Sequence, residues 1–194
     1  MAPLKIGLTG GIAAGKSEAL KAFARLGAAT LSSDAVVHEL LEGEELRSRL
    51  EERWGPDVVA ADGGVDRAKI GEVVFADPEE LTWLEAQIHP LVQQRTAAWL
   101  LSLPAETEVA VVEVPLLFEV GGERPFDTTV AIVTSDEVRR ERAASRGHAL
   151  VDEREARQLT QEEKAGRAEH RVENDGSVED LEQALSALLA KLRR

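Results

Sequence analysis

Short apolar runs alternate along this chain with segments of helical periodicity. The runs that predict β-strands lie at residues 4–9, 28–32, 109–117 and 128–134, with a weaker fifth near 171–173. Runs that are almost continuously apolar and rich in β-branched residues are typical of strands covered on both faces, as in a parallel sheet. Because helical segments separate the runs, the pattern predicts an α/β fold whose parallel sheet is flanked by helices.

The helical segments differ in what they predict. Residues 178–192 carry one apolar face, which is expected to cover the sheet. Between residues 65 and 103 the signals are all helical: Asp66 and Asp77 precede helix starts, and a break is expected near Pro90. The sequence therefore predicts a helical insertion beside the sheet.

The charge balance restricts the partners that the chain can bind. With 23 Lys and Arg against 36 Asp and Glu, the formal net charge is −13, so neither a nucleic acid nor an anionic membrane is expected as a partner. No apolar stretch approaches the ~20 residues of a membrane span, and we expect a cytoplasmic protein that is a monomer or a small homo-oligomer. The chain has no cysteine, which excludes disulfides and cysteine-ligated metals.

The most specific motif is GGIAAGKS at residues 10–17, which fits the Walker A pattern G-x-x-x-x-G-K-[ST]. In such a loop the glycines let successive backbone N–H groups curl inward around phosphate oxygens. Lys16 is expected to reach the β- and γ-phosphates of ATP, and the Ser17 hydroxyl to bind the accompanying Mg²⁺. Because the motif follows a predicted strand and opens a predicted helix, we predict nucleotide binding.

A phosphate loop alone does not separate a kinase from other nucleotide-binding proteins. The chain lacks an Asn-Lys-x-Asp guanine-reading motif and a Leu-Ser-Gly-Gly-Gln signature, which argues against a GTPase and a transporter ATPase. The helical segment at residues 136–169 is rich in arginine, as the closing lid of a small-molecule kinase would be. A kinase for another small acceptor, such as a nucleoside monophosphate, and a non-catalytic regulator that binds ATP or GTP remain open.

Two carboxylates lie at or near the ends of predicted strands. Asp34 follows the second strand, and the carboxyl ends of parallel strands form the ligand-binding edge of such sheets. It could accept a proton from an attacking hydroxyl, or simply cap a helix predicted at residues 35–41. Glu113 resembles a Walker B acid, which would hold Mg²⁺ through water, although an acid facing solvent is the slightly preferred interpretation.

Motifs from about residue 6 to residue 189 together resemble the dephospho-CoA kinase family. They are GLTGGIAAGKS at 7–17, SSD at 32–34, Asp66-Arg67 with Phe75, His89-Pro90, PLLFE at 115–119, Arg142 with Arg146, Gln158 with Lys164, Ala168-Glu169, and NDGS at 174–177. The loop is shared with many families, whereas the PLLFE and His-Pro elements are more specific. Three departures are modest: Ser32 and Glu169 stand where the family has aspartate, and Glu18 stands where threonine is common.

The resemblance implies a P-loop nucleoside-triphosphate hydrolase-like fold with three parts. The nucleotide-binding core, with a five-stranded parallel sheet, would comprise residues 1–63, 106–138 and 166–194. A helical CoA-binding insertion would comprise residues 64–105, and a helical lid would comprise residues 139–165. The implied reaction transfers the γ-phosphoryl group of ATP to the ribose 3′-hydroxyl of dephospho-CoA, giving CoA and ADP, with Mg²⁺ accompanying ATP. This is the last step of coenzyme A biosynthesis.

Carried over position by position, the resemblance also implies individual roles. Asp34 would be the acceptor-side base and would act with Lys16 and with Arg142, which closes over the transferring phosphoryl group. The residues implied to bind ATP are Gly11, Ile12, Ala13, Ala14, Gly15, Lys16, Ser17, Glu18, Arg146 and Asn174. Those implied to bind the acceptor substrate are Thr9, Asp34, His89, Leu116 and Leu117.

Overall fold

The computed structural model describes residues 2–60, 63–145 and 158–193, through which the elements are numbered in order. The strands are β1 (Leu4–Gly10), β2 (Ala29–Ser32), β3 (Val109–Glu113), β4 (Thr128–Val133) and β5 (His170–Glu173). The α-helices are α1 (Lys16–Arg25), α2 (Ser33–Glu42), α3 (Glu44–Trp54), α4 (Arg67–Ala76), α5 (Pro78–Ser102), α6 (Asp136–Ser145), α7 (Gln161–Arg167) and α8 (Val178–Leu192). The chain divides into two compact units, Met1–Ser32 with Leu103–Arg194, and Ser33–Ser102.

The first unit is built on a parallel sheet. Across the described ranges, its five strands have the order β2-β3-β1-β4-β5, and every neighbouring pair is parallel. The predicted strands are therefore confirmed, including the weak fifth. The third strand ends at Glu113 rather than at residue 117, because Pro115 has no N–H to donate to a ladder and the chain turns there.

Apolar side chains from the central strands and from two helices form the core of this unit. β3 and β4 are buried along their whole length, and β1 is buried from Ile6 onward. Phe23 of α1 belongs to the same cluster as Leu181 and Leu185 of α8. The prediction that residues 178–192 cover the sheet is confirmed, and β1, which leads into the phosphate loop, is held between β3 and β4.

The second unit consists mainly of helices, as the pattern at residues 65–103 predicts. Asp66 caps α4 by accepting hydrogen bonds from two N–H groups of its first turn, at 3.0 and 3.1 Å. The break expected near Pro90 is wrong, since α5 continues unbroken through that residue. Pro90 is exposed, which leaves room for its ring, and the helix forgoes only the hydrogen bond of one missing N–H.

A polar and aromatic cluster joins α3 to α5. The Glu80 carboxylate accepts hydrogen bonds from Arg53 Nε at 3.0 Å, Arg53 Nη2 at 2.8 Å and Trp54 Nε1 at 2.7 Å, and these donors lower its pKa. Trp54 meets Trp83 edge to face, with ring centroids 5.2 Å apart. Together with Trp99, all three tryptophans of the chain lie in the second unit, and the chain has no tyrosine. Its tryptophan fluorescence therefore reports on this unit alone.

Candidate active site

Residues 10–17 form a loop between the end of β1 and the start of α1. Gly10 and Gly15 have φ angles of 151° and 95°. A Cβ atom on Gly10 would collide with the carbonyl oxygen of Ile132 in β4, and one on Gly15 with the side chain of Asn174. Positive φ and close approach both require glycine, so the loop has the strand–loop–helix geometry that the Walker A pattern predicts.

The Lys16 side chain lies back over this loop. Its ammonium group donates hydrogen bonds to the carbonyl oxygens of Gly10 at 3.2 Å and Gly11 at 2.9 Å. Gly15 is the N-cap of α1 and makes no side-chain cap to the first turn. A helix N-terminus with a lysine cation beside it attracts phosphate groups, because N–H dipoles and positive charge both favour an anion.

Glu113, at the end of β3, meets the first turn of α1. The Ser17 hydroxyl donates to Glu113 Oε1 at 3.5 Å, and Glu113 is only 5% exposed. The interpretation of Glu113 as a solvent-facing acid is therefore wrong, because β3 lies between two other strands and its last side chain is enclosed. A hydroxyl and a carboxylate are the kind of oxygen ligands that Mg²⁺ takes.

The phosphate loop is braced from the end of β5 by Asn174. Its side-chain amide donates to the Ala14 carbonyl oxygen at 2.8 Å, and its backbone N–H donates to the Val133 carbonyl oxygen at 2.8 Å. The residue is 5% exposed. The structure thus gives Asn174 a role in holding the loop, and its contact with the nucleotide stays a prediction.

Arg142 of α6 reaches the same loop. Its Nη1 atom lies 3.6 Å from the position that a Cβ atom would take on Gly15. Close by, the Asp175 carboxylate accepts hydrogen bonds from the Ser135 N–H at 2.6 Å and the Thr134 hydroxyl at 2.7 Å. These bonds, with the nearby charge of Arg142, lower the pKa of Asp175. Arg142 thus adds a second cation beside the loop, as a site for a polyanion needs.

A cavity of about 620 Å³ adjoins the loop at Gly11 and Ile12. Its wall includes Gln161, which donates from Nε2 to the Thr134 carbonyl oxygen at 2.8 Å and accepts from the Thr134 N–H at 3.0 Å. The sequence analysis did not predict that Gln161 lies beside the loop and is bonded to Thr134. The pairing joins residues far apart in the chain, and no local pattern predicts it.

Comparison with known proteins gives the family of this chain, since the family model described as dephospho-CoA kinase matches residues 4–180. The chain belongs to the dephospho-CoA kinase family. This family catalyses the final, ATP-dependent step of coenzyme A biosynthesis. A dephospho-CoA kinase of Streptomyces avermitilis is 37% identical over 193 residues, which cover 97% of this chain and 94% of that protein.

Two solved structures are similar over almost the whole chain. A protein from Thermus thermophilus has a TM-score of 0.82 at 37% identity, with 99% of each chain covered. Dephospho-CoA kinase from Campylobacter jejuni has a TM-score of 0.72 at 26% identity, with 97% of this chain and 96% of that chain covered. The family resemblance and the α/β fold predicted from the sequence are confirmed. In the part of the chain that the structure describes, no helix has the length and apolar character needed to cross a bilayer.

The other residues of the loop that the resemblance implies for ATP binding differ in their surroundings. Gly11 and Ile12 line the cavity, and Ala13 is a non-glycine residue with a φ of 60°. Glu18 accepts a hydrogen bond from Arg25 Nη2 at 3.2 Å. Because Arg25 lies at the far end of α1, the Glu18 carboxylate extends along the helix, so any contact of Glu18 with phosphate would come from its backbone N–H.

Two of the three residues of the implied acceptor site in the first unit are fully buried. Thr9 and Leu117 are 0% exposed, and the Thr9 hydroxyl donates to the Pro115 carbonyl oxygen at 3.3 Å. Leu116 is half-buried. The side chains of Thr9 and Leu117 therefore support the turn after β3, and direct contact with dephospho-CoA stays a prediction for all three.

The other two acceptor-side residues belong to the second unit. Asp34 is exposed in the first turn of α2. The interpretation of Asp34 as the N-cap of a helix at residues 35–41 is wrong, because the helix already begins at Ser33. His89 is half-buried within α5. The roles of both in this kinase stay predictions, and Arg146 lies outside the described residues.

Replacing Asn174 with alanine is expected to destabilise the first unit. The buried Ala14 carbonyl oxygen would lose its donor, and an unsatisfied buried acceptor costs about 1–3 kcal/mol. Urea unfolding followed by circular dichroism measures the loss. Gln183→Ala removes an exposed amide from α8 and should change stability by less than about 0.5 kcal/mol. Equal stability of the two variants would show that the Asn174 bond does not hold the loop.

Asp175 is expected to make the stability of the kinase fall in acid. Its pKa is lowered in the folded chain, so its contribution is complete above the ordinary aspartate value of about 3.9 and is lost as the pH falls through the lowered value. Asp175→Asn removes this titration. The free energy of unfolding, measured from neutral pH downward, should therefore fall less steeply below about pH 4 in the variant. Identical slopes in parent and variant would contradict the assignment.

Proposed function

We propose that this chain transfers the γ-phosphoryl group of ATP to the ribose 3′-hydroxyl of dephospho-CoA, giving CoA and ADP. The observation that carries the proposal is a phosphate loop in which Lys16 lies on the carbonyl oxygens of Gly10 and Gly11, within a chain of this family. Arg142 beside the loop adds the further positive charge that phosphoryl transfer requires.

On the nucleotide side, the backbone N–H groups of residues 11–18 would hold phosphate oxygens. Lys16 would exchange its two carbonyl partners for the β- and γ-phosphates, because hydrogen bonds between two charged groups are stronger than those to a neutral carbonyl. Arg142, followed by Arg146, would neutralise charge on the transferring group. An arginine in that role is worth ~10³–10⁵ in rate in related reactions.

Ser17 and Glu113 are the residues that would hold Mg²⁺ with ATP. Both offer oxygen atoms, the two side chains already meet at 3.5 Å, and Glu113 is enclosed at a strand end, so the donor set fits a hard cation. When bound, Mg²⁺ neutralises negative charge on the phosphates. Glu113 would accept the Ser17 O–H and so leave the lone pairs of that hydroxyl for the cation.

On the acceptor side, Asp34 would orient the ribose hydroxyl and take its proton late. Phosphoryl transfer passes through a loose transition state that needs little early deprotonation, so a carboxylate suffices as base. Residues 64–105 with His89 would bind the CoA portion, residues 139–165 would form a lid, and residues 1–63, 106–138 and 166–194 would form the nucleotide-binding core.

We also propose that the kinase acts in the cytoplasm as a monomer or a small homo-oligomer, without nucleic acid or membrane as a partner. The net charge of −13 disfavours polyanionic surfaces. The absence of cysteine fits a reducing compartment.

The acceptor is tested by measuring ADP release from Mg-ATP with dephospho-CoA, AMP, CMP and pantetheine phosphate in parallel. We expect strong stimulation by dephospho-CoA alone. Stimulation by one of the other acceptors would show that the chain is a kinase but that dephospho-CoA is not its substrate. Saturable ATP binding with no turnover on any acceptor would favour a nucleotide-binding regulator instead.

The second unit's part in acceptor binding is tested by tryptophan fluorescence. Because Trp54, Trp83 and Trp99 all lie in Ser33–Ser102, a ligand of that unit should change the emission in a saturable manner. We expect dephospho-CoA to do so with an affinity that matches its KM, and pantetheine phosphate to compete. Emission unaffected by dephospho-CoA at concentrations that saturate turnover would contradict acceptor binding by this unit.

A further inference from the structure

We propose that Lys164 is a positioning residue for the phosphoryl transfer inferred above, acting through a buried cluster of polar groups. Lys164 is 0% exposed. Its ammonium group donates to the Pro115 carbonyl oxygen at 2.6 Å and to Gln158 Oε1 at 3.4 Å, and it pairs with Glu119 Oε1 at 3.0 Å. Each of the three N–H donors of the ammonium can therefore have an acceptor.

Through Pro115, the cluster reaches the strand that carries the phosphate loop. The carbonyl oxygen that binds Lys164 also accepts the Thr9 hydroxyl at 3.3 Å. Thr9 is 0% exposed and directly precedes Gly10, where the loop begins. A single oxygen atom thus connects the Lys164 ammonium to the strand residue directly before the loop.

Through Glu119, the cluster reaches residues 158–164, in the C-terminal part of the predicted lid. Glu119 Oε1 accepts the Leu159 N–H at 3.0 Å in addition to pairing with Lys164. Two residues later, Gln161 makes its two hydrogen bonds with the backbone of Thr134. Residues 158–164 are thereby bound to the turn that follows β3 and to the residue that follows β4.

Stability alone does not account for this cluster. Removing an ammonium and a carboxylate from water is unfavourable, and a buried ion pair is often no more stable than uncharged side chains of similar volume. Moreover, Glu119 Oε2 is buried and has no hydrogen-bond partner among the residues that the structure describes. Such a charge pair is better explained by the geometry that it imposes, because a displacement of ~1 Å around reacting groups can cost ~10²-fold in rate.

The test is the double variant Lys164→Met/Glu119→Gln, which removes both charges, keeps the side-chain volumes similar and retains an acceptor for the Leu159 N–H. We expect a thermal midpoint close to that of the parent. The kcat for CoA formation should fall about 10- to 100-fold. Binding of a non-hydrolysable ATP analogue, measured by equilibrium dialysis, should change by less than about two-fold, which locates the loss in the transfer step.

Three further variants distinguish an effect on kcat from a loss of stability. Lys164→Met alone leaves the Glu119 carboxylate buried without its cation, so its thermal midpoint should lie below that of the double variant. Glu119→Gln retains Lys164 and an acceptor oxygen. If the double variant does not fold, the same fall in kcat is expected and measured in Glu119→Gln. Arg193→Met/Glu108→Gln removes an ion pair at 3.5 Å whose side chains are 42% and 73% exposed, and it should behave as the parent.

A folded double variant with parental kcat would overturn the role of Lys164. So would equal losses in kcat and in analogue binding, because the cluster would then act on nucleotide binding and not on transfer. If the parent forms CoA and the double variant forms it at the same rate, the proposed function stands and only the role of Lys164 is overturned. A parent that forms no CoA overturns the proposed function itself, and the role of Lys164 with it.

Discussion

Replacing Lys16 with alanine is expected to remove almost all CoA formation and to weaken ATP binding. The Lys16 ammonium lies on the Gly10 and Gly11 carbonyl oxygens, inside the loop that we propose holds the phosphates. Losing one preorganised electrostatic contact of this kind costs ~10²–10³ in kcat. Because Lys16 would also contact ATP before transfer, KM for ATP should rise as well. Steady-state turnover and equilibrium dialysis of ATP measure the two effects.

Lys21→Ala is the matched control for this variant. Lys21 lies on the same helix, its side chain is 71% exposed, and its ion pair with Glu18 is long at 4.0 Å. Removing an exposed charge of this kind has little effect, so turnover should match that of the parent. Normal kinetics in Lys16→Ala would contradict the assignment of residues 10–17 as the ATP-binding loop.

Replacing Asp34 with asparagine is expected to leave ATP binding intact and to suppress phosphoryl transfer. The change preserves side-chain size at an exposed position in the first turn of α2 and removes the group that would orient and deprotonate the ribose hydroxyl. General-base contributions are typically 10²–10⁴-fold, and kcat should fall by about that factor. Binding of the ATP analogue should remain within about two-fold of the parent.

Glu39→Gln is the control for Asp34→Asn, because it neutralises another exposed carboxylate on α2. It should not alter kcat. If Asp34→Asn turned over at the parental rate, Asp34 would have no part in the mechanism, and the acceptor hydroxyl would have to be oriented by a different group.

The phosphate loop could be predicted from the sequence because its requirements are local. Gly10 and Gly15 have positive φ angles, which favour glycine whatever surrounds them, and Lys16 begins the helix that follows. The strands could be predicted for a similar reason, since β3 and β4 are enclosed throughout and consist of apolar residues and threonines, apart from Glu113 at the end of β3.

Contacts between distant segments could not be predicted in this way. The apolar run at residues 109–117 is nearly continuous in sequence, yet Leu117 is buried in a turn and not in a strand. Glu113 is enclosed by neighbouring strands, which its own position in the sequence does not reveal. The family resemblance includes both the PLLFE motif and Lys164, but only the folded chain shows the Lys164 ammonium bound to the Pro115 carbonyl oxygen and paired with Glu119.

The most direct test of the proposed reaction is to identify the product that the parent chain forms from Mg-ATP and dephospho-CoA. Mass spectrometry gives the stoichiometry, and phosphorus NMR gives the position of the new phosphate. We expect equal amounts of ADP and CoA, with the phosphate on the ribose 3′-hydroxyl. ADP released with inorganic phosphate and no CoA, or a phosphate on another hydroxyl, would contradict the proposed function.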